Sequence, residues 1–151
     1  MSSQIEIDKK LINYLSLRGY RKDSIIDSLV NETKNLGEVA KMQISPEQGQ
    51  FLEIIVKISK SKKCLEVGRF TGLSTLFMAR GLPDEGKIYA VDNSNEFLSL
   101  ANKYWKLANV SKKIESVLGE GMEVMQSYID RKFSFDLVFI DADKNNYLNY
   151  Y

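Results

Sequence analysis

Apolar residues between Ile5 and Thr33 recur at helical spacing, with Leu11, Ile12 and Leu15 in one block and Ile25, Ile26, Leu29 and Val30 in the next. Gly19 lies between the blocks, so the pattern predicts two amphipathic helices. The stretch Ser45-Pro46-Glu47-Gln48 predicts a third helix that begins at Pro46. Ser45 suits the N-cap, Pro46 suits the first helical position because its missing N–H would be unpaired there, and Gln48 can close a capping box. Phe51, Leu52, Ile55, Val56 and Ile58 are its expected buried face, and Lys60, Lys62 and Lys63 form a solvated basic end favoured by the macrodipole.

Beyond Lys63 short apolar runs alternate with helical stretches. Residues 64–67, 87–91, 114–118 and 135–140 read as strands, and residues 74–80, 95–108 and 122–129 as helices. Strands alternating with helices over fewer than about 80 residues describe βαβ units and a parallel sheet, hence an α/β fold. Residues 83–86 and 109–113 are short turns within it, not domain boundaries.

Composition narrows the chemistry. The 151 residues carry 21 basic and 20 acidic side chains, 44% hydrophobic residues, one cysteine and no histidine. A net charge of +1 offers no single-sign field for nucleic acid or an anionic membrane, so neither is an expected partner. Without histidine there is no Ser/His/Asp or Cys/His triad and no His-based zinc site, and one cysteine builds neither an internal disulfide nor a thiolate cage. Any metal must therefore use oxygen ligands. Cys64 reads as a small core residue. The start MSSQIEIDKK lacks the apolar stretch of a signal peptide, and no run of about 18 apolar residues occurs, so a cytoplasmic protein is expected.

In an open parallel sheet, ligands bind outside the carboxyl ends of the strands. The first strand leads into Glu66-Val67-Gly68-Arg69-Phe70-Thr71-Gly72-Leu73-Ser74, a glycine loop whose glycines stand too far apart for the dinucleotide fingerprint. The second strand ends at Asp92, where a carboxylate meets ribose hydroxyls in nucleoside-binding α/β folds. Gly119-Glu120-Gly121 follows the third strand and Asp141-Ala142-Asp143-Lys144 the fourth. The mouth is thus expected to gather Glu66, Asp92, Glu120, Asp141 and Asp143, an acidic rim suited to a cationic ligand with ribose and no phosphate. Asp141 and Asp143 also read as caps of a following helix, Lys144 as a surface lysine, and Tyr147, Tyr150 and Tyr151 as one helix face.

The blocks MQISPEQGQFL, LEVGRFTGLSTLFMA, GKIYAVD, YWKLANV and FDLVFIDADKNNY, in that order, resemble the cation-dependent, S-adenosylmethionine-dependent O-methyltransferases, the group of the catechol and caffeoyl-CoA enzymes and their small bacterial relatives. The resemblance runs from about Asn31 to Tyr151 and implies a Rossmann-like fold with sheet order 3-2-1-4 behind N-terminal helices. It implies an N-terminal helical segment and cofactor-lid stretch over residues 1–45, and a methyltransferase domain over residues 46–151. Met42 and Ile44 match the segment that closes over the methionine part of the cofactor, and Ser74 the hydroxyl that holds its carboxylate. Gly68 and Arg69 match the loop beneath it, with Glu66 ahead. Asp92 matches the ribose acid, Gly121 the adenine contact, and Asp141 the residue that meets both the cofactor amine and a Mg²⁺ ion. Lys144 matches the base that acts on the acceptor hydroxyl. Leu73 replaces a usual tyrosine, and Glu120 stands where neutral residues are common.

The implied activity is methyl transfer from S-adenosylmethionine to a phenolic or vicinal-diol hydroxyl of a small molecule. The family domain continues through three further strands and an Asp-Asn metal pair, so the expected domain is incomplete at the C-terminus and Asp141 is the one matched ligand of its metal site. The alternative expectation is a truncated or split-gene fragment that keeps the cofactor half without catalysis of its own. A fourth strand without a neighbour would expose Leu137, Val138, Phe139 and Ile140 on an open edge. A homodimer or completion by a C-terminal fragment is expected to cover it.

Overall fold

The computed structural model describes residues 7–19 and 21–150, so Ile5 and Tyr151 lie outside the described residues. Three helices lead the chain: α1 Lys9–Arg18, α2 Ser24–Lys34 and α3 Pro46–Ile58. Strands and helices then alternate as β1 Lys63–Val67, α4 Leu73–Gly81, β2 Lys87–Asp92, α5 Leu98–Leu107, β3 Ile114–Leu118, α6 Gly121–Asp130 and β4 Leu137–Ile140, before the short α7 Tyr147–Tyr150. The strands form one parallel sheet of order β3-β2-β1-β4. This is the Rossmann-like arrangement the resemblance implies. None of the described helices is long and apolar enough to cross a membrane.

Side chains alternate across the central strand and divide the core into two layers. Cys64 of β1 joins Ile88 of β2 and Leu76, Phe77 and Met78 of α4 in a layer closed by Ile26 and Leu29 of α2 and Val56 of α3. Leu65 and Val67 face the opposite way, against Val91, Tyr128 of α6 and Tyr150 of α7. Burial pushes the Cys64 thiol up to about 12, which makes it the inert core residue its strand position predicts.

Several boundaries move for local reasons. Helix α5 begins at Leu98 and not at Asn95, because the Ser94 N–H donates to Asp92 and the Glu96 N–H to the Ser94 hydroxyl, which holds this stretch in a turn. Strand β4 begins at Leu137, two residues later than expected. Phe135 instead joins Tyr89, Tyr128 and Phe133 in an aromatic cluster with ring centroids 5.0–5.8 Å apart.

The expected buried face of α3 is also corrected. The helix starts at Pro46, with Ser45 Oγ accepting from the Gln48 N–H at 3.2 Å. Phe51 and Ile58, however, are 60% and 70% exposed, while Val56 is buried. The contact stripe is Gly49, Leu52 and Val56, at i, i+3 and i+7. Gly49 lets the Phe77 ring approach so closely that a Cβ would stand 2.1 Å from it. Gly81 of α4 answers from the other side, where a Cβ would stand 2.8 Å from the Val56 side chain. Gly49→Ala is therefore expected to lower stability by about 1–3 kcal/mol in urea unfolding, and Phe77→Leu in the same chain to recover part of that loss.

Candidate functional site

A cavity of about 750 Å³ opens at the carboxyl edge of the sheet, between the loops that follow the four strands and the segment before α3. Its floor is the β1–α4 loop, in which Gly68, Phe70 and Gly72 adopt left-handed φ angles of +99°, +49° and +79°. This alternation turns successive main-chain N–H groups toward β2. The Arg69 and Phe70 N–H groups donate to Asp92 Oδ2 at 3.1 and 2.8 Å, and the Ser94 N–H donates to Oδ1 at 2.9 Å. A carboxylate offers about four lone-pair positions, so Asp92 retains one, on Oδ1.

Glu66 departs from the expected acidic rim. It shares the face of Cys64, two residues before it, and points beneath α4, fully buried and outside the cavity wall. The Thr75 hydroxyl donates to its Oε2, while Oε1 has no hydrogen-bond partner. Burial pushes its carboxyl up to about 7, against the hydroxyls of Ser74 and Thr75 and the charge of Arg69. Ser74, itself 6% exposed, separates Glu66 from the cavity.

The other predicted residues line the wall. Gly121 opens α6, and a Cβ there would stand 2.5 Å from Val67. Asp141 and Lys144 follow β4, and partial burial raises the Asp141 carboxyl against the pull of Lys144. Asp143 is a cap, accepting from the Asn146 N–H at 3.1 Å and from the Tyr150 hydroxyl at 3.0 Å. Glu120 accepts from Asn93 Nδ2 at 3.2 Å across the mouth. Met42 and Ile44 form the outer lip, Met42 57% exposed and Ile44 half-buried.

Pattern reading missed five participants. Of the two described tyrosines of the expected helix face, Tyr150 enters the wall while Tyr147 is exposed. Phe70 and Phe97 pack edge to face at 4.9 Å on the lip. Gln43 Nε2 donates to the hydroxyls of Thr33 at 2.8 Å and Thr71 at 3.1 Å, which ties the lip to the floor. The Arg69 side chain runs back beneath the floor. Only the aromatics were open to detection, as large apolar residues beside the glycine loop.

The donor set does not fit a metal. Among the described residues no three carboxylate or thiolate side chains converge into a group able to hold an ion.

A family model described as O-methyltransferase matches residues 16–151. Caffeoyl-CoA O-methyltransferase 2 of Petunia hybrida is 41% identical over 113 residues, 73% of this chain and 47% of the relative. A Dictyostelium discoideum protein named Probable caffeoyl-CoA O-methyltransferase 3 is 31% identical over 153 residues, 99% of this chain and 61% of the relative. The chain thus spans less than two thirds of the length of these relatives. Among solved structures, the Bacillus cereus O-methyltransferase in complex with SAH superposes with a TM-score of 0.78 at 30% identity, over 91% of this chain and 64% of that one. The SAH-bound Podospora anserina methyltransferase PaMTH1 shares the fold, with a TM-score of 0.84 at 20% identity over 99% of this chain and 65% of that one.

The Glu66 environment sets a pH dependence of stability. Its folded value of about 7 lies above the ordinary 4.5, so between those values the folded chain holds a proton that the unfolded chain has released. The contribution is present below the lower value and is lost as pH rises to the upper one. Glu66→Gln removes the titration, so the stability of the variant relative to wild type should rise between about pH 4 and pH 8 in urea unfolding. A constant difference would mean that the carboxyl titrates normally.

Proposed function

Because the chain belongs to the O-methyltransferase family, whose model matches residues 16–151, we propose that its cavity binds S-adenosylmethionine and serves methyl transfer to a hydroxyl of a small acceptor. The observation that carries this reading is Asp92, a carboxylate held by three main-chain N–H groups at the end of β2 with one lone pair open. Such an acceptor suits a ribose hydroxyl, and the widely spaced glycines beside it suit a ligand without phosphates.

The remaining residues fit the other parts of that ligand. The acidic wall of Asp92, Glu120, Asp141 and Asp143 favours a group that brings positive charge, as the cofactor's amine and sulfonium do. Ser74 is the donor for its carboxylate, and Gly68 and the Arg69 main chain form the bed beneath it. Met42 and Ile44 cover the methionine part and exclude water. Gly121, at the start of α6 in the cavity wall, contacts the adenine through its main chain. Asp141 meets the amine from the β4 side.

When bound, the cofactor supplies a methyl group on a positively charged sulfur. The chain aligns the acceptor oxygen with that methyl carbon, and a phenolic or vicinal-diol hydroxyl fits the polar rim. Lys144, beside Asp141 at the rim, takes the acceptor's proton. No step is assigned to a metal ion.

The donor set around Asp141 and the 61% coverage of the Dictyostelium relative favour a second reading, in which the chain holds the cofactor half of a longer protein. Its acceptor pocket would then be completed by a C-terminal fragment or by a second copy. Methyl transfer that appears only with such a fragment added supports this reading, and turnover by the isolated chain rejects it.

Calorimetric titration with S-adenosylmethionine and S-adenosylhomocysteine tests the cofactor assignment. Asp92→Ala is expected to weaken binding about tenfold or more, from the loss of a charge-assisted hydrogen bond. An unchanged dissociation constant in the folded variant would remove Asp92 from the site.

A further inference from the structure

The net charge of +1 is unevenly spread over the fold. The cavity mouth is acidic, while lysines gather at the opposite edge of the sheet, where the strands begin. Lys63 opens β1 and stands beside Lys87, which opens β2. Lys87 Nζ donates at 2.6 Å to the carbonyl of Lys112, which precedes β3. Lys63 Nζ lies 4.9 Å from the centre of the Phe133 ring, next to Lys132 ahead of β4. One lysine per strand thus forms a row, and a strand spacing of about 4.8 Å makes it about 15 Å long. All four are exposed, and none takes part in an ion pair among the described residues. The acids beside them are engaged elsewhere. Asp136 Oδ2 accepts from the Lys62 and Lys63 N–H groups at 2.7 and 2.8 Å, and Glu85 and Asp84 lie 3.8 and 3.7 Å from the ammonium groups of Lys62 and Lys113.

The helix macrodipole accounts for part of this charge, because α3, α5 and α6 run against the strands and end at this edge. It does not account for what the same helix ends expose. Ile58 closes α3, Leu107 closes α5 and Ile129 lies in the last turn of α6, and they are 70%, 59% and 64% exposed. Helices α3 and α5 pack on one face of the sheet and α6 on the other, so aliphatic side chains flank the lysine row on both sides. We propose that this edge docks the chain on an anionic lipid bilayer, with the lysines among the headgroups and Ile58, Leu107 and Ile129 entering the apolar boundary beneath them. Lysine stems are long enough to keep their ammonium groups at the headgroups while neighbouring aliphatic groups sink further. A nucleic acid would meet the same charge, but it has no apolar layer for the three aliphatic side chains, and the Phe133 ring that a base could stack on lies under the Lys63 ammonium. The cavity opens at the other end of the strands, so a docked chain presents it to the aqueous phase.

The test is co-sedimentation of the full chain with vesicles of phosphatidylcholine alone and of phosphatidylcholine mixed with phosphatidylglycerol, over a range of salt concentrations. Wild type should sediment with the mixed vesicles and not with the neutral ones, and the binding should weaken as salt rises. Lys112→Gln combined with Lys132→Gln should weaken it about twentyfold, at about fivefold for each charge removed from the surface. Leu107→Ser combined with Ile129→Ser should weaken it about tenfold, because both side chains leave water on docking. All four positions are exposed, so the variants should keep the wild-type melting temperature. Should the Ile129 variant fail to fold, Ile58→Ser takes its place.

Wild type that stays in solution beside the anionic vesicles would overturn the proposal, as would equal binding to the neutral ones. So would binding that the lysine changes weaken and the Leu107 and Ile129 changes leave intact, which is what attraction to any polyanion produces. Tighter binding to a single-stranded RNA oligonucleotide than to the mixed vesicles would reassign the edge to nucleic acid and overturn the lipid reading. No cavity residue enters the argument, so a failure of the cofactor assignment in calorimetry leaves this inference standing.

Discussion

The site depends on one close approach, that of the Gly68 backbone to β4. A Cβ at Gly68 would stand 2.3 Å from the Asp141 carbonyl oxygen, and the residue's φ of +99° is one that side chains resist. Both neighbours are main chain, so nothing at the contact can swing aside. The Gly68 N–H donates to the Val91 carbonyl at 3.0 Å, and the Asp141 N–H to the Val67 carbonyl at 2.9 Å. The exit of β1 is thereby clamped between β2 and β4. From that clamp the loop can only turn outward over Asp92, and the ends of three strands meet at one cavity.

The two carboxylates nearest the clamp differ because the loop serves one and the strand pleat directs the other. Asp92 stands where the loop's N–H groups converge, and they satisfy most of its acceptor capacity with groups that cost little further ordering. Glu66 stands one strand away, at a position whose side chain the pleat sends under α4. It has the Thr75 hydroxyl and an open Oε1. One acid is thus a preorganised acceptor at the cavity, while the other is a carboxyl buried beneath α4.

The strands were readable because their apolar runs are short, regularly spaced and bounded by turn residues, and the strand order follows from the family blocks. What escaped the pattern has identifiable causes. Gly49 contributes nothing to an apolar count, yet it is the point at which α3 meets Phe77, so the helix turned and left Phe51 and Ile58 outside. Glu66 reads as a strand-end acid, and only its parity with Cys64 reveals that it points inward. Arg69 reads as part of a glycine loop. Its guanidinium reaches residues 25 and 47 positions further along, a span that local spacing cannot express. Tyr150 lies on a helix too short for periodicity to assign a face.

The segment between α2 and α3 is bound into the site more firmly than its position ahead of the sheet would suggest. Thr33 of α2 and Thr71 of the floor are both fully buried, and their hydroxyls bond to each other at 3.1 Å and to the amide of Gln43. Pulling the segment away would strand these hydroxyls out of water, at about 1–3 kcal/mol for each group left unpaired. Met42, one residue earlier and 57% exposed, has no comparable burial. Any opening of the lip is therefore cheapest at Met42, ahead of the Gln43 tie. The floor, Asp92 and α2 then stay together, and a ligand would enter past the exposed Met42 thioether into a site whose polar groups are already in place.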